Sequence, residues 1–391
     1  MNFCYIFYLY IVLLYIIAMK MKRKIKLDPV LCVAWILAAI SAYFVHPSKD
    51  YLEYIDWRSL GILWGLMVVI QGLKENSVFE KIGEKLLDKV RYQWQLCLVL
   101  TGLCFFSAMF ITNDVALITF VPFSIMILKN CSKEKVIIPL VVIQTIAANM
   151  GSMLTPVGNP QNLYLYGLTG MSIGKFLTCM FPYTLVAAIL LIISVMILHG
   201  RNDEIAVHGN MGVVKNFGSY IQIVIYLVLF IIALCSVLRL IPWYIMAVII
   251  AFVVFFMDYK ILFRADYILL LTFIGFFVFT GNMGRISQVH DLLQNTVTGR
   301  EFGISVLLSQ FISNVPATLM LSGFTDNYKA LLCGVNVGGL GTLIASMASL
   351  ISYKAYASME EKNVPKYILE FTVYNLIFLA FMIPLYLLIS M

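Results

Sequence analysis

The sequence has little charge for its length. Of 391 residues only 12% are Asp, Glu, Lys or Arg, whereas 62% are hydrophobic, and the mean hydropathy is +0.93. This composition excludes a water-soluble domain of ordinary type. Apolar runs of about 17–25 residues match helices that cross roughly 30 Å of hydrocarbon. We therefore predict an all-α polytopic membrane protein.

Several kinds of site are also missing. The chain has no Gly-x4-Gly-Lys-Ser/Thr pattern, which argues against a built-in ATPase. Its eight cysteines are far apart and form no close cluster with histidine, so neither a transition metal nor a disulfide framework is indicated. The net charge of +7 comes from basic residues scattered at loop ends, which does not indicate nucleic-acid binding. We expect no enzymatic activity and no cofactor.

Apolar windows predict ten membrane spans. They cover 3–19, 28–46, 57–73, 136–167, 176–199, 219–238, 242–258, 266–282, 328–353 and 367–389. The first run precedes a basic cluster, the reverse of a signal peptide, so we interpret it as a span that enters from outside.

Two further apolar stretches, 93–129 and 302–325, contain a polar tip near the middle. The tips read Thr112-Asn113-Asp114 and Ser313-Asn314-Val315-Pro316. Each stretch is either a re-entrant hairpin or a pair of ordinary spans. With an outside N-terminus and two re-entrant hairpins, 20 of the 27 basic residues lie inside and 7 outside, as the positive-inside rule requires.

Weak matches recur in the same order along the two halves. Asp56-Trp57 matches Asp266-Tyr267 at a spacing of 210, Asn113 matches Asn314 at 201, and Gly151 matches Gly338 at 187. The pattern predicts two inverted-topology repeats joined by a cytoplasmic linker at 200–218. The first repeat is 1–199, with hairpin 93–129 and broken helix 136–167. The second is 219–391, with hairpin 302–325 and broken helix 328–353. Amphipathic segments at 76–91 and 286–298 predict interfacial helices.

Glycine-rich polar segments interrupt the two spans that we predict to be broken. They read GSMLTPVGNPQN at 151–162 and GGLGTLIASMAS at 338–349. Lipid cannot hydrogen-bond a free amide, so broken helix at membrane depth requires protein or water around it. Paired breaks in two halves are the best indication in a sequence of a transporter's binding site.

The tips and breaks supply the candidate site residues. Asn113 and Asn314 can offer both a donor and an acceptor near exposed helix ends, although each could instead cap a helix or join two spans. Asp114 could bind a cation, carry a proton or cap its helix. The hydroxyls and carbonyls of the breaks could replace an ion's hydration shell, or their small residues could serve helix packing alone.

These motifs together resemble the ion transporter superfamily, most closely its citrate transporter-like branch. Relatives of that branch include divalent-anion:sodium symporters, arsenite permeases and a group of sodium–proton antiporters. The resemblance implies an oligomeric scaffold, here a homodimer, and a transport unit that moves like an elevator. It also implies two sodium sites, with substrate between Asn113 and Asn314. The ion-binding candidates are Thr112, Asn113, Asp114, Thr155 and Gly158 in the first half, and Ser313, Asn314, Thr342 and Ala345 in the second.

The chain differs from the carboxylate symporters of this superfamily at the tips and breaks. Their tips typically read Ser-Asn-Thr, where this chain has Asp114 or Val315 in the third position. Their breaks carry Thr-Pro, where this chain has Asn159-Pro160 and Ser346-Met347, so Asn159, Pro160 and Ser346 join the substrate-binding candidates. A fixed carboxylate beside a dianion is repulsive unless a cation or proton intervenes, which favours coupling to one of them.

We therefore predict a secondary active transporter in the plasma (inner) membrane. It would move a small anion, either a di- or tricarboxylate or an inorganic oxyanion, coupled to sodium or protons. The alternatives within transporters are an arsenite efflux permease and a sodium–proton antiporter. A passive channel and an intramembrane hydrolase are less favoured, the latter because only one Asp and no His are placed deep in the apolar interior.

Overall fold

The computed structural model describes residues 28–87, 90–205 and 218–390, and the predicted span 3–19 lies outside this part. Seventeen α-helices are described, joined in places by short 3-10 turns such as Lys49–Leu52 and Glu134–Val136. They are α1 Pro29–Phe44, α2 Trp57–Glu75, α3 Val78–Leu87, α4 Gln93–Ile111, α5 Asn113–Asn130, α6 Ile137–Ser152, α7 Pro160–Thr169, α8 Ile173–Met196, α9 Tyr220–Val237, α10 Trp243–Leu262, α11 Tyr267–Arg285, α12 Ser287–Val297, α13 Glu301–Ile312, α14 Asn314–Leu321, α15 Tyr328–Val337, α16 Met347–Ala357 and α17 Val364–Ser390.

Seven helical segments in the described ranges are long and apolar enough to cross a membrane. They are Gln93–Ile111, Glu134–Ser152, Ile173–Met196, Tyr220–Val237, Trp243–Leu262, Tyr267–Arg285 and Val364–Ser390. Many of their outward side chains are large and apolar, for example Phe252 and Phe256 on α10, which are 64% and 73% exposed. Such surfaces are stable against lipid and not against water. The prediction of an all-α polytopic membrane protein is confirmed.

Each hairpin tip turns the chain on a single residue. Thr112 joins α4 to α5 with φ 73° and ψ 150°, and Ser313 joins α13 to α14 with φ 74° and ψ 153°. A positive φ is uncommon for a residue other than glycine and marks a constrained turn. The two arms of each hairpin pack against each other. The chain therefore turns at Thr112 and at Ser313.

Both broken helices are present. Residues 153–159 separate α6 from α7, and residues 338–346 separate α15 from α16. The first hairpin packs mainly along α6, and the second mainly along α15. The second piece of each broken helix packs on the hairpin of the other half. Helix α7 packs on α14, and helix α16 packs on α5. The two halves therefore interlock at the breaks.

Glycine permits the close approach of each hairpin to its broken helix. A Cβ at Gly151 would stand 2.1 Å from the carbonyl oxygen of Phe105 in α4. A Cβ at Gly338, the matched position, would stand 2.7 Å from Oγ of Ser309 in α13. A side chain at either position would push the hairpin away from the break.

The amphipathic segments and part of the linker are also defined. The segments at 76–91 and 286–298 contain the helices α3 and α12, and Ile82 and Leu86 of α3 are about half exposed, as an interfacial helix requires. The start of the linker pairs with the chain at the beginning of α4. The N–H of Gln93 donates to the carbonyl of Asp203 (3.0 Å), and the N–H of Ile205 donates to the carbonyl of Arg91 (2.9 Å).

Candidate functional site

The two tips dock onto the two breaks with the same backbone hydrogen bond. The N–H of Asn113 donates to the carbonyl of Gly158 at 3.1 Å, and the N–H of Asn314 donates to the carbonyl of Ala345 at 2.9 Å. Gly158 and Ala345 are 187 residues apart, the spacing that relates the two breaks in the sequence. All four residues are buried. The local geometry of the tip and break is therefore repeated in the two halves.

Thr155 and Thr342, which occupy matching positions in the two breaks, each hydrogen-bond a hairpin arm. Oγ1 of Thr155 donates to the carbonyl of Met109 in α4, and Oγ1 of Thr342 donates to the carbonyl of Gln310 in α13 at 2.9 Å. Met109 and Gln310 are 201 apart, the spacing of the two tips. These threonine hydroxyls are thus engaged in holding the break against the hairpin, next to the predicted ion sites.

A polar connection runs from the first tip to the second break through Asn149 of α6. Its Oδ1 accepts from Nδ2 of Asn113 at 3.1 Å and from Oγ of Ser346 at 3.0 Å. Its Nδ2 donates to the carbonyl of Gly339 at 3.3 Å. A Cβ built at Gly339 would lie 3.0 Å from Nδ2 of Asn314. The side chains of Asn113 and Asn314 are thus linked through Asn149 and the backbone at Gly339.

Asn336 of α15, which is 187 residues after Asn149, makes the reciprocal connection. Its Oδ1 accepts from Nδ2 of Asn159 at 3.2 Å, and its Nδ2 donates to Oδ1 of Asn162 at 2.7 Å. Each broken helix thus carries one asparagine that bonds the break of the other half. These two asparagines are not among the predicted site residues, and their polar side chains in apolar surroundings favour interhelical hydrogen bonds at least as much as a place on the path. The 187-residue spacing that aligns the breaks also aligns the two asparagines.

The helices after the breaks begin at residues that also contact the opposite half. Oδ1 of Asn159 caps α7 by accepting from the N–H of Asn162, and Oγ of Ser346 caps α16 by accepting from the N–H of Ala348. Pro160 follows as the first residue of α7, where its missing N–H costs nothing. Asn159, Pro160 and Ser346 are all buried at the break.

Both N-termini and C-termini of helices lie at the tips and breaks. The helices α5, α7, α14 and α16 begin there, and α4, α6, α13 and α15 end there. Helix N-termini carry partial positive charge and favour anions, whereas C-termini carry partial negative charge and favour cations. The arrangement can therefore hold an anion and a cation side by side.

Asp114 lies in the first turn of α5, one residue beyond the tip. Its Oδ1 is buried and has no hydrogen-bond partner within residues 28–87, 90–205 and 218–390. Burial disfavours the charged form of this carboxyl group, and the negative charge of Asp266 adds to that effect. Like charges repel one another, and the repulsion is relieved when a cation or a proton binds. Asp114 is thus a group whose charge is uncompensated by the described residues.

Two cavities lie near the second half of the site. One of about 90 Å³ is behind the second tip, lined by Asp28, Asp266 and Ser313 among others, and has room for a few water molecules. The other is an apolar groove of about 1230 Å³ between α13, the second break and α17. Neither Asn113 nor Asn314 lines the larger groove. The candidate site is therefore at the tips and breaks and not in this groove, although the groove is larger.

All predicted site residues are located at the two tips and the two breaks. Asn113, Gly158, Asn159 and Pro160, with Ser313, Asn314, Ala345 and Ser346, are buried; Thr112, Asp114 and Thr155 are partly exposed, and Thr342 is exposed. One further residue, Gln310, was not predicted as a ligand. The side-chain nitrogen of Gln310, Nε2, donates to the carbonyls of Gly338 (3.1 Å) and Leu340 (2.9 Å). Gln310 therefore helps to fix the backbone of the second break.

Asn149→Ala is expected to loosen the connection between the halves. It leaves Nδ2 of Asn113 and Oγ of Ser346 without their buried acceptor, at a cost of about 1–3 kcal/mol. The measurement is thermal unfolding of the purified protein in detergent. Asn336→Ala should give a comparable loss, whereas Asn130→Ala, on the exposed end of α5, should have almost no effect. An unfolding temperature unchanged by Asn149→Ala would contradict this role.

The sequence profile of the family described as citrate transporter matches residues 11–328, well over half of the chain. The chain belongs to the citrate transporter family. It is 31% identical to an uncharacterized transporter of Methanocaldococcus jannaschii, over 79% of this chain and 84% of that protein. It is 29% identical to the inner membrane protein YbiR of Escherichia coli, over 82% of this chain and 86% of that protein.

A more distant relative is the silicon efflux transporter LSI3 of Oryza sativa, which is 30% identical over 36% of this chain and 28% of its own length. Family and relatives together identify a multi-pass membrane transporter. The resemblance predicted from the tips and breaks is thus confirmed at the level of the family.

Proposed function

We propose that this protein is a secondary active transporter that moves a small anion, a di- or tricarboxylate or an inorganic oxyanion, coupled to sodium or protons. The single observation that carries the proposal is the repeated docking of a hairpin tip on a helix break, Asn113 on Gly158 and Asn314 on Ala345. Unwound backbone is tolerated at membrane depth where it lines a cavity or meets other protein. Two such places in contact make a binding site at the junction of two halves.

The proposal includes two inverted repeats and an elevator-type movement in the plasma membrane, by a homodimer. The packing of the hairpins supports the two inverted repeats. Each hairpin packs along the first piece of the broken helix in its own half, and the second piece of that helix packs on the hairpin of the other half. This reciprocal packing is what two oppositely oriented halves would produce. The hairpins would then enter the bilayer from opposite sides and meet near its middle.

Cations would bind where each tip meets its break. The first site would use Thr112, Asn113 and Gly158, and the second would use Ser313, Asn314 and Ala345. Oxygen ligands from carbonyls, hydroxyls and amides suit sodium, because they replace its hydration shell. Thr155 and Thr342 would hold these sites in shape through their bonds to the hairpin arms.

The anion would bind between Asn113 and Asn314. Both amides can donate to it, and the N-termini of α7 and α16, at Asn159-Pro160 and Ser346, add positive potential. The bonds that Asn149 now makes to Asn113 and Ser346 would have to exchange when substrate enters. Binding of the cations first would reduce the repulsion between Asp114 and an anion.

Uptake into proteoliposomes tests the proposal. Labelled citrate, succinate, sulfate and arsenite are supplied with an inward sodium gradient, with a pH gradient, or with neither. We expect at least one of these anions to accumulate only when an ion gradient is present. A membrane potential of 100 mV is worth about 2.3 kcal/mol per charge, so a gradient of cations is a sufficient drive without nucleotide. Currents of single-channel type in a planar bilayer would contradict a carrier.

Sodium–proton exchange is the second candidate, and the buried unpartnered Oδ1 of Asp114 favours it. A buried carboxylate of this kind can bind sodium and a proton in alternation. Sodium-driven proton movement in the absence of every tested anion would select exchange over symport. Arsenite efflux, the third candidate, would be selected by arsenite movement alone.

A further inference from the structure

Two cysteines from distant parts of the chain lie together. Sγ of Cys179 in α8 and Sγ of Cys333 in α15 are 3.6 Å apart and share a hydrogen bond. In the described part of the chain, no other two cysteines are hydrogen-bonded to each other. The pair is separated by 154 residues, so it joins the last helix of the first half to a helix of the second half.

Cys179 lies in the first third of α8, and Cys333 lies in the middle of the ten-residue helix α15. Cys179 is about two turns after the start of α8, and Cys333 is about one and a half turns after the start of α15. Lys175 and Lys329, each four residues before one of the cysteines, lie in the first turns of α8 and α15, at ends that the charge distribution assigns to the outside. The outside of a cell is the side where disulfides form and persist.

The two thiols differ in accessibility. Cys179 is partly exposed, whereas Cys333 is 1% exposed. Cys179 is therefore the more accessible of the two thiols to an oxidant. The two sulfur atoms need to approach by only about 1.5 Å to reach the bonding distance of roughly 2.05 Å.

We propose that Cys179 and Cys333 form a redox modification site, in which a disulfide-bearing oxidant on the outside converts the pair into an intramolecular disulfide. The thiolate of Cys179 attacks a sulfur of the oxidant, breaks its S–S bond and forms a mixed disulfide, and one thiolate leaves. The thiolate of Cys333 then attacks Sγ of Cys179 and releases the second thiolate. The two cysteines lose two electrons and two protons, and the oxidant is reduced to two thiols.

The disulfide would fix α8 to the helix that carries Asn336. Asn336 follows Cys333 by three residues, almost one helical turn, and bonds Asn159 and Asn162 in the first break. The site lies outside the tips and breaks, and its existence does not depend on what the protein transports.

Thiol counting tests the proposal. Right-side-out membrane vesicles containing the protein are treated with oxidised glutathione, which does not cross the membrane, and the protein is then denatured and labelled with a polyethylene glycol maleimide. The number of labelled cysteines, out of eight in the chain, should fall by two in the wild type and recover after reduction. Mass spectrometry of a digest should find the peptides of Cys179 and Cys333 joined.

Two variants make the result specific. Cys179→Ser should abolish the loss of two thiols, and because Cys179 is only partly buried, this variant should fold. Cys235→Ser in α9 is the matched control and should still lose two. An unchanged count in the wild type, a loss that persists in Cys179→Ser, or a disulfide between two copies on a non-reducing gel would each overturn the proposal.

Discussion

Asn113→Ala and Asn314→Ala are each expected to abolish ion-coupled uptake while the helical fold remains. Each substitution removes a buried amide from a tip whose backbone stays docked on the break through its own N–H group. A hydrogen bond to a charged ligand is worth about 1.5–3 kcal/mol. Loss of one such bond would weaken binding roughly 10- to 100-fold. Loss of an asparagine that binds both the cation and the anion would weaken binding further. The measurement is initial uptake into proteoliposomes, with helix content checked by circular dichroism.

Matched asparagines elsewhere provide the controls for this prediction. Asn130 is exposed at the end of α5, and Asn295 is exposed on α12, beside the second hairpin in the sequence. Asn130→Ala and Asn295→Ala should leave uptake unchanged. If Asn113→Ala or Asn314→Ala transports at the wild-type rate, substrate binding does not require the side chain at that tip, and the proposed site is wrong.

Much of this arrangement could be predicted from the sequence because it depends on local chemistry. A polar Thr-Asn-Asp or Ser-Asn-Val-Pro inside an apolar stretch cannot continue as lipid-facing helix, and the structure turns the chain at Thr112 and Ser313. Glycine-rich segments at 151–162 and 338–349 likewise mark the ends of α6 and α15. Since three matches kept their order in both halves, the tips and breaks could be paired before any geometry was known.

The contacts between the halves could not be predicted in the same way. Asn149 and Asn336 are ordinary polar residues in apolar helices, for which a hydrogen bond to any neighbouring helix is the usual explanation. Their bonds to Ser346 and Asn159 join positions 197 and 177 residues apart in the chain, and no local pattern encodes such a distance. The pairing of Cys179 with Cys333 was missed for the same reason, since far-apart cysteines give no spacing signal.

Asp114→Asn is expected to remove or alter ion coupling while substrate binding is kept. Asparagine has nearly the same shape but no charge, so the buried Oδ1 position can no longer balance a cation or bind a proton. We expect accumulation driven by the sodium or pH gradient to fall at least about tenfold, equivalent to roughly 1.4 kcal/mol of lost coupling. The apparent affinity for the anion should change much less, because the amides of Asn113 and Asn314 remain.

Counterflow separates these two effects in one preparation. Vesicles loaded with unlabelled anion exchange it for labelled anion without any net ion movement, so Asp114→Asn should still exchange although it no longer accumulates substrate. Asp326→Asn, an exposed carboxylate between α14 and α15, is the matched control and should behave as wild type in both assays. A wild-type dependence on sodium and pH in Asp114→Asn would show that the carboxylate has no part in coupling. In that case the coupling cations would be held by the carbonyl and hydroxyl oxygens of the tips and breaks alone.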